Sequence, residues 1–197
     1  MKIFIVGCGR ILSKHLDSIK ILNDKLQIVG ISDIKKKRLH DISKKLNVKG
    51  FPNYIDGIKK TNPDIVSILT PSGFHAQNII DILNLKKHII VEKPMCLKIS
   101  DGKKIINFAK KNKKKVFVVM QNKFNLPVLK LRDDIKKSYF GKIFHSSVIV
   151  RWKRDQKYYD NDSWRGTWKN DGGVISNQAT HHLDLLRTIM GEPSSLF

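Results

Sequence analysis

Cysteine is scarce in this chain of 197 residues: Cys8 and Cys96 are the only two. That excludes a disulfide framework and favours a reducing, cytoplasmic setting. Long apolar runs are also missing. No stretch reaches the length of a transmembrane helix, so no membrane partner is expected. The opening Met1-Lys2-Ile3-Phe4-Ile5-Val6-Gly7 lacks the longer apolar region and small-residue cleavage site of a secretory signal. It reads as a first buried strand. There is no internal repeat and no low-complexity linker. Acidic residues are few, 17 against 38 Lys and Arg, for a net charge of +21. Such a balance raises nucleic-acid binding as a reading. Yet the lysines are scattered along the chain, in runs such as Lys35-Lys36-Lys37, and no zinc-finger or RNA-binding motif accompanies them. A drift toward Lys, Ile and Asn explains the charge better, so no nucleic-acid partner is expected. The positive field still favours an anionic substrate.

What is present is an alternation of short apolar runs and helical patterns. Strands are expected at 2–6, 26–32, 64–70, 88–91 and 116–120. Helices are expected at 11–23, 35–46, 54–60, 74–85 and 100–112. Alternation of this length implies a parallel sheet covered on both faces, and right-handed crossovers make it doubly wound. The pattern changes near Gln121. A helix opened by Pro127 is expected at 126–138. An alternating strand follows at 143–152, then an aromatic loop at 158–169 and a helix at 173–190 closed by Gly191-Glu192-Pro193. The fold class expected is α/β. Residues 1–121 form a doubly wound, parallel-sheet Rossmann domain, and residues 122–197 begin an incomplete α+β second domain.

Gly7-Cys8-Gly9 follows the first strand and opens the first helix, with Arg10 and Ile11 next. Small residues there let backbone N–H groups approach a pyrophosphate, and the helix N-terminus adds partial positive charge. The third fingerprint position, which favours a small residue, holds Leu12. Asp33 ends the second strand. A carboxylate there accepts both ribose hydroxyls of adenosine and repels a 2′-phosphate, which favours NAD over NADP. No metal site is expected.

Thr70-Pro71-Ser72-Gly73-Phe74-His75, followed by Glu92-Lys93-Pro94, resembles the glucose–fructose oxidoreductase/inositol dehydrogenase (Gfo/Idh/MocA) family. Five downstream stretches resemble its branch of UDP-N-acetyl-glucosaminuronate 3-dehydrogenases: 121–125, 151–160, Trp164-Arg165-Gly166-Thr167-Trp168, Asp171-Gly172-Gly173-Val174 and Asn177-Gln178-Ala179. The resemblance implies NAD-dependent oxidation of the sugar 3-hydroxyl of a UDP-N-acetyl uronic acid. That step precedes an aminotransferase in the synthesis of bacterial surface polysaccharides. It also implies cofactor contacts at Gly7, Cys8, Gly9, Arg10, Ile11, Asp33, Thr70, Pro71, Ser72, His75, Glu92, Lys93 and Gln121. The resemblance implies that Lys93 belongs to the catalytic set, aimed by a cis bond before Pro94. It implies that His181 is the general base that removes the hydroxyl proton, and a histidine titrates in the right range for that role. Asn177 stands where the family usually has Asp; it positions a hydroxyl without carrying charge. Asn177, His181 and Asp184 are spaced i, i+4, i+7, about 40° and 20° apart on an α-helix, hence on one face. His182 points elsewhere and is structural. Lys123, Asn125, Arg154, Tyr158, Tyr159 and Arg165 are the candidates for the substrate's diphosphate and carboxylate, together with Asn177 and His181.

Family members run well beyond 197 residues and are homo-oligomers built on a broad second-domain sheet. A chain ending at Phe197 is therefore expected to be a fragment, poorly soluble or inactive alone. The alternative is an NAD-binding remnant with a regulatory or scaffold role.

Overall fold

The computed structural model describes residues 1–22 and 24–195. The helix expected at 11–23 ends at a residue outside that set. Two compact units divide at Val119/Met120.

The first unit contains six strands: β1 (Lys2–Val6), β2 (Gln27–Ser32), β3 (Gly50–Phe51), β4 (Ile65–Ile68), β5 (His88–Val91) and β6 (Val116–Val118). They form one sheet in the order β3-β2-β1-β4-β5-β6, and every pairing is parallel. This is the Rossmann order, with its reversal between β1 and β4. The crossovers are α1 (Leu12–Ile21), α2 (Lys36–Leu46), α3 (Tyr54–Thr61), α4 (Ser72–Asn84) and α5 (Ile99–Lys111). The expected α/β sheet is therefore present. Strand β3 was not anticipated, because two residues are too short to show a period.

Alternate side chains of β1 enter opposite layers, as a strand requires. Phe4 and Val6 join Ile58 of α3, Ile79 and Ile82 of α4, and Ile105 of α5. Ile5 joins Leu12 of α1 and Leu39 of α2. Both faces are thus covered, which is why the strands read as near-continuous apolar runs. Asn53 caps α3, its side-chain oxygen accepting from the Ile55 amide at 2.8 Å. Gly57 lets α3 approach the sheet. A Cβ there would sit 2.5 Å from Phe4 Cζ, an overpacking that costs about 1–3 kcal/mol in a filled core.

The second unit begins with a 3-10 turn (Gln121–Phe124), followed by α6 (Leu126–Lys136), α7 (Gln156–Asp160), a π-helical turn (Ile175–Ala179) and α8 (Thr180–Met190). The strand expected at 143–152 does not form. Those residues form no strand or bridge among the described residues. The alternation of Phe144, Ser146, Val148 and Val150 encodes an amphipathic strand, but strand structure also needs a neighbour to take its N–H and C=O groups. Phe144 is consequently 82% exposed. The helix expected at 173–190 is helical throughout, but its first part holds the π turn. A π turn carries an extra residue, so the even angular steps assumed for Asn177 and His181 do not apply within it. Among the described residues no helix is long and apolar enough to cross a membrane.

Candidate functional site

In the first unit the chemistry-bearing residues gather at the carboxyl ends of β1, β2, β4 and β5. Gly7 leaves β1 with φ +96, its amide donating to the Ser32 carbonyl at 2.7 Å. A Cβ on Gly7 would lie 2.8 Å from the Leu69 carbonyl, so the turn requires glycine twice over. A Cβ on Gly9 would meet only Arg38 Nη1, at 4.0 Å. Open space therefore lies before α1, whose N-terminus carries no side-chain cap and no acidic residue in its first turn. Uncapped amides beside a glycine turn suit a diphosphate. Arg10 and Ile11, exposed, lead into the helix.

Asp33 anchors the rim of this loop. Its Oδ2 accepts from the Cys8 amide and its Oδ1 from the Lys35 amide, each at 2.8 Å. Arg38 Nη1 stands 3.5 Å from Oδ2. The Cys8 amide is therefore taken up by Asp33. Its thiol is buried and directed at the Ser32 carbonyl. Burial, then the Asp33 charge, pushes its pKa up to about 12, so it stays a neutral thiol.

The β4 end supplies Thr70, Pro71 and Ser72. The Thr70 hydroxyl donates to Asn78 Oδ1 at 2.8 Å, and Ser72 opens α4. His75, expected among the cofactor contacts, is only 1% exposed. Its Nδ1 lies 2.7 Å from the Pro94 carbonyl and its Nε2 2.8 Å from the Thr70 carbonyl. The neutral ring donates to one of these carbonyls and packs between the β4 loop and the Glu92-Lys93-Pro94 segment rather than facing a ligand. The Lys93–Pro94 bond is cis. Glu92, which follows β5, meets His15 Nε2 at 2.8 Å. His15 carried no functional signal in the sequence.

Burial lowers the His75 pKa below its ordinary value, against the raising effect of the two carbonyls and Glu92. A folded ring that resists protonation makes the unfolded chain the better proton acceptor below about pH 6.5. Thermal melts should therefore show stability falling as the pH drops through about 6.5, with a shallower fall in His75→Gln. Equal slopes for both proteins would contradict this.

In the second unit, Arg154, Tyr158, Tyr159 and Arg165 come together. Asp155 caps α7 by accepting from the Tyr158 amide at 3.0 Å. Two guanidinium groups approach the Tyr158 ring, Arg154 at 5.0 Å and Arg165 at 4.8 Å from its centroid. Tyr159 packs edge-on to it, with ring centroids 5.1 Å apart. Arg165 is half-buried: Nε donates to Asp162 at 3.1 Å and Nη1 to the Tyr158 hydroxyl at 3.0 Å. That hydroxyl also accepts from Gln178 at 3.0 Å. Arg154 remains exposed, 5.2 Å from the Trp152 ring. Lys123 pairs with Asp184 at 2.8 Å. Gln121 and Asn125 lie exposed at either end of the same turn. Asn177 and His181 are both buried. The Asn177 amide donates to Asp171 Oδ1, and Asp171 Oδ2 accepts from the Gly166 amide at 2.8 Å. Asp171 is a buried partner that sequence reading noted only as part of a motif. His182 stacks edge-on against Trp152 at 5.4 Å, a packing role. Among the described residues no group of His, Cys, Asp or Glu is placed to hold a metal.

A six-stranded Rossmann sheet with a glycine turn, an acidic β2 end and a Glu-Lys-Pro segment defines an NAD-binding oxidoreductase domain. Residues 1–120 match the oxidoreductase family with an NAD-binding Rossmann fold, and 128–197 match the GFO/IDH/MocA C-terminal domain. The chain belongs to the GFO/IDH/MocA family, whose members are NAD-dependent oxidoreductases acting on CH–OH groups. It is 28% identical to the myo-inositol 2-dehydrogenase of Thermotoga maritima over 98% of this chain and 55% of that protein. The WlbA dehydrogenase of Chromobacterium violaceum, solved with NADH and UDP-GlcNAcA, is 36% identical with a TM-score of 0.94, covering 97% of this chain and 55% of that one. The WlbA dehydrogenase of Bordetella pertussis, solved with the same two ligands, is 34% identical with a TM-score of 0.94, covering 97% and 57%. The chain spans about half the length of these relatives.

Proposed function

We propose that this chain belongs to an enzyme that oxidises the 3-hydroxyl of a UDP-N-acetyl-glucosaminuronic acid with NAD. The observation that carries the reading is its likeness to two WlbA dehydrogenases, both solved with NADH and UDP-GlcNAcA, along nearly the whole of its length. The open space at Gly9 and the uncapped α1 fit the cofactor's diphosphate. Asp33 fits its adenosine ribose.

In this reading NAD supplies the hydride acceptor. Lys93 donates a hydrogen bond to the 3-hydroxyl oxygen and stabilises the negative charge that develops there. His181 takes the hydroxyl proton as general base. The C3–H bond breaks with its electron pair, and a C3 ketone forms. Asn177 orients the ring, its amide held by Asp171. Arg154, stacked on two rings yet exposed, is the cation best placed for a substrate anion. Arg165 acts indirectly by holding Tyr158.

Calorimetric titration in the presence of NADH tests the substrate class. UDP-N-acetyl-glucosaminuronic acid should bind at least about tenfold more tightly than UDP-N-acetylglucosamine, the worth of one charge-assisted contact. Equal affinities would remove the uronate assignment. A second reading, NAD binding without turnover, is favoured by the exposed apolar side chains and unpaired 143–150 segment of the second unit. It predicts NADH binding with no ketone formed.

A further inference from the structure

His15 and Glu92 form a contact that none of the roles above uses. His15 stands in α1, one turn past the glycine loop. Glu92 follows β5 and precedes Lys93. The two side chains meet at 2.8 Å and are 15% and 14% exposed. The other ring nitrogen of His15 lies 3.5 Å from the Ser67 hydroxyl of β4, so the imidazole bridges toward the sheet between β1 and β5.

Such a pair sits between two parts of one binding crevice. The N-terminus of α1 faces the diphosphate, and the β5 end faces the reacting half of the cofactor. A carboxylate left alone in a half-buried crevice would repel a diphosphate and turn freely about its last torsion. With Oε1 engaged by His15 at 2.8 Å, the carboxylate no longer turns freely. Oε2 receives no hydrogen bond from the described residues, and stays oriented to accept one from a cofactor hydroxyl or amide.

We propose that His15 is a positioning residue for Glu92: it fixes the carboxylate so that its second oxygen accepts a hydrogen bond from the nicotinamide riboside half of NAD. His15 acts through Glu92 and touches no ligand itself. The role rests on the proposed cofactor site, and binding alone tests it.

The full chain and three variants are titrated with NADH by calorimetry, each with a thermal melt. His15→Leu removes the donor and keeps the bulk. Its NADH affinity should fall about tenfold, the worth of one hydrogen bond to a charged group. His15→Gln keeps a side-chain N–H at similar reach, and should hold affinity within about twofold of the parent. Adding His15→Leu to Glu92→Ala should cost nothing beyond Glu92→Ala alone, since the positioned group is already gone. That cycle reads the coupling even if His15→Leu lowers the melting temperature. Three outcomes overturn the proposal: parental affinity in His15→Leu, equal losses in the Leu and Gln variants, or additive losses in the double variant. If the parent chain binds no NADH, the cofactor site itself is wrong and the positioning role falls with it.

Discussion

Replacing Lys93 with alanine is expected to lower turnover about a thousandfold, the range for loss of a group that acts on the reacting oxygen. Cofactor affinity should change far less. The flanking backbone shows why so exposed a residue type can be held accurately. The Glu92 amide donates to the Ile68 carbonyl at 3.1 Å, and the Pro94 carbonyl lies 2.7 Å from Nδ1 of the buried His75 ring. Lys93 thus projects from a segment fixed on both sides, at the carboxyl end of a central strand. Arginine should not rescue it, because a planar fork on a longer stem cannot reproduce a compact ammonium. Single-turnover kinetics of Lys93→Ala and Lys93→Arg, followed by NADH absorbance, check this. Unchanged turnover in Lys93→Ala would remove Lys93 from the chemistry, and unchanged turnover in Lys93→Arg would show that any cation there suffices.

The second large effect is expected at Asp33. Substitution by serine should lower kcat/KM for NAD by about a hundredfold and raise it for NADP, inverting the preference. Asp33 holds the Cys8 and Lys35 amides and stands 3.5 Å from Arg38. In the proposed cofactor site its loss removes the acceptor for the ribose diol. It also releases Arg38, beside Lys35, Lys36 and Lys37, to meet a 2′-phosphate. Kinetics with both cofactors decide the matter. An Asp33→Ser protein that still prefers NAD as strongly as its parent would show that the carboxylate serves the loop alone.

The parallel sheet was legible because its strands are buried on both faces and its helices carry one apolar stripe each. Gly50–Phe51 escaped notice because pairing at the sheet edge, not sequence period, makes it a strand. Residues 143–152 show the converse, since alternation describes a face and cannot create a partner. The π turn at Ile175–Ala179 is equally invisible in a list of side chains, because it is a choice of backbone hydrogen bonds. At the candidate site, Gly7, Gly9 and Asp33 could be read from their places at strand ends. His15 could not, being 77 residues from Glu92 and brought to it only by the winding of α1 over the sheet. His75 was legible as important but not for its purpose. Only the fold shows both ring nitrogens turned to backbone carbonyls.

The most direct test of the account is hydride transfer itself. The enzyme to which the chain belongs is incubated with NAD and UDP-N-acetyl-glucosaminuronic acid, with UDP-N-acetylglucosamine as the control, and NADH formation is followed by absorbance. The account predicts NADH and a 3-keto product from the acid, at a rate at least about tenfold above the control. Equal rates from the two sugars, or no NADH from the acid, would contradict it.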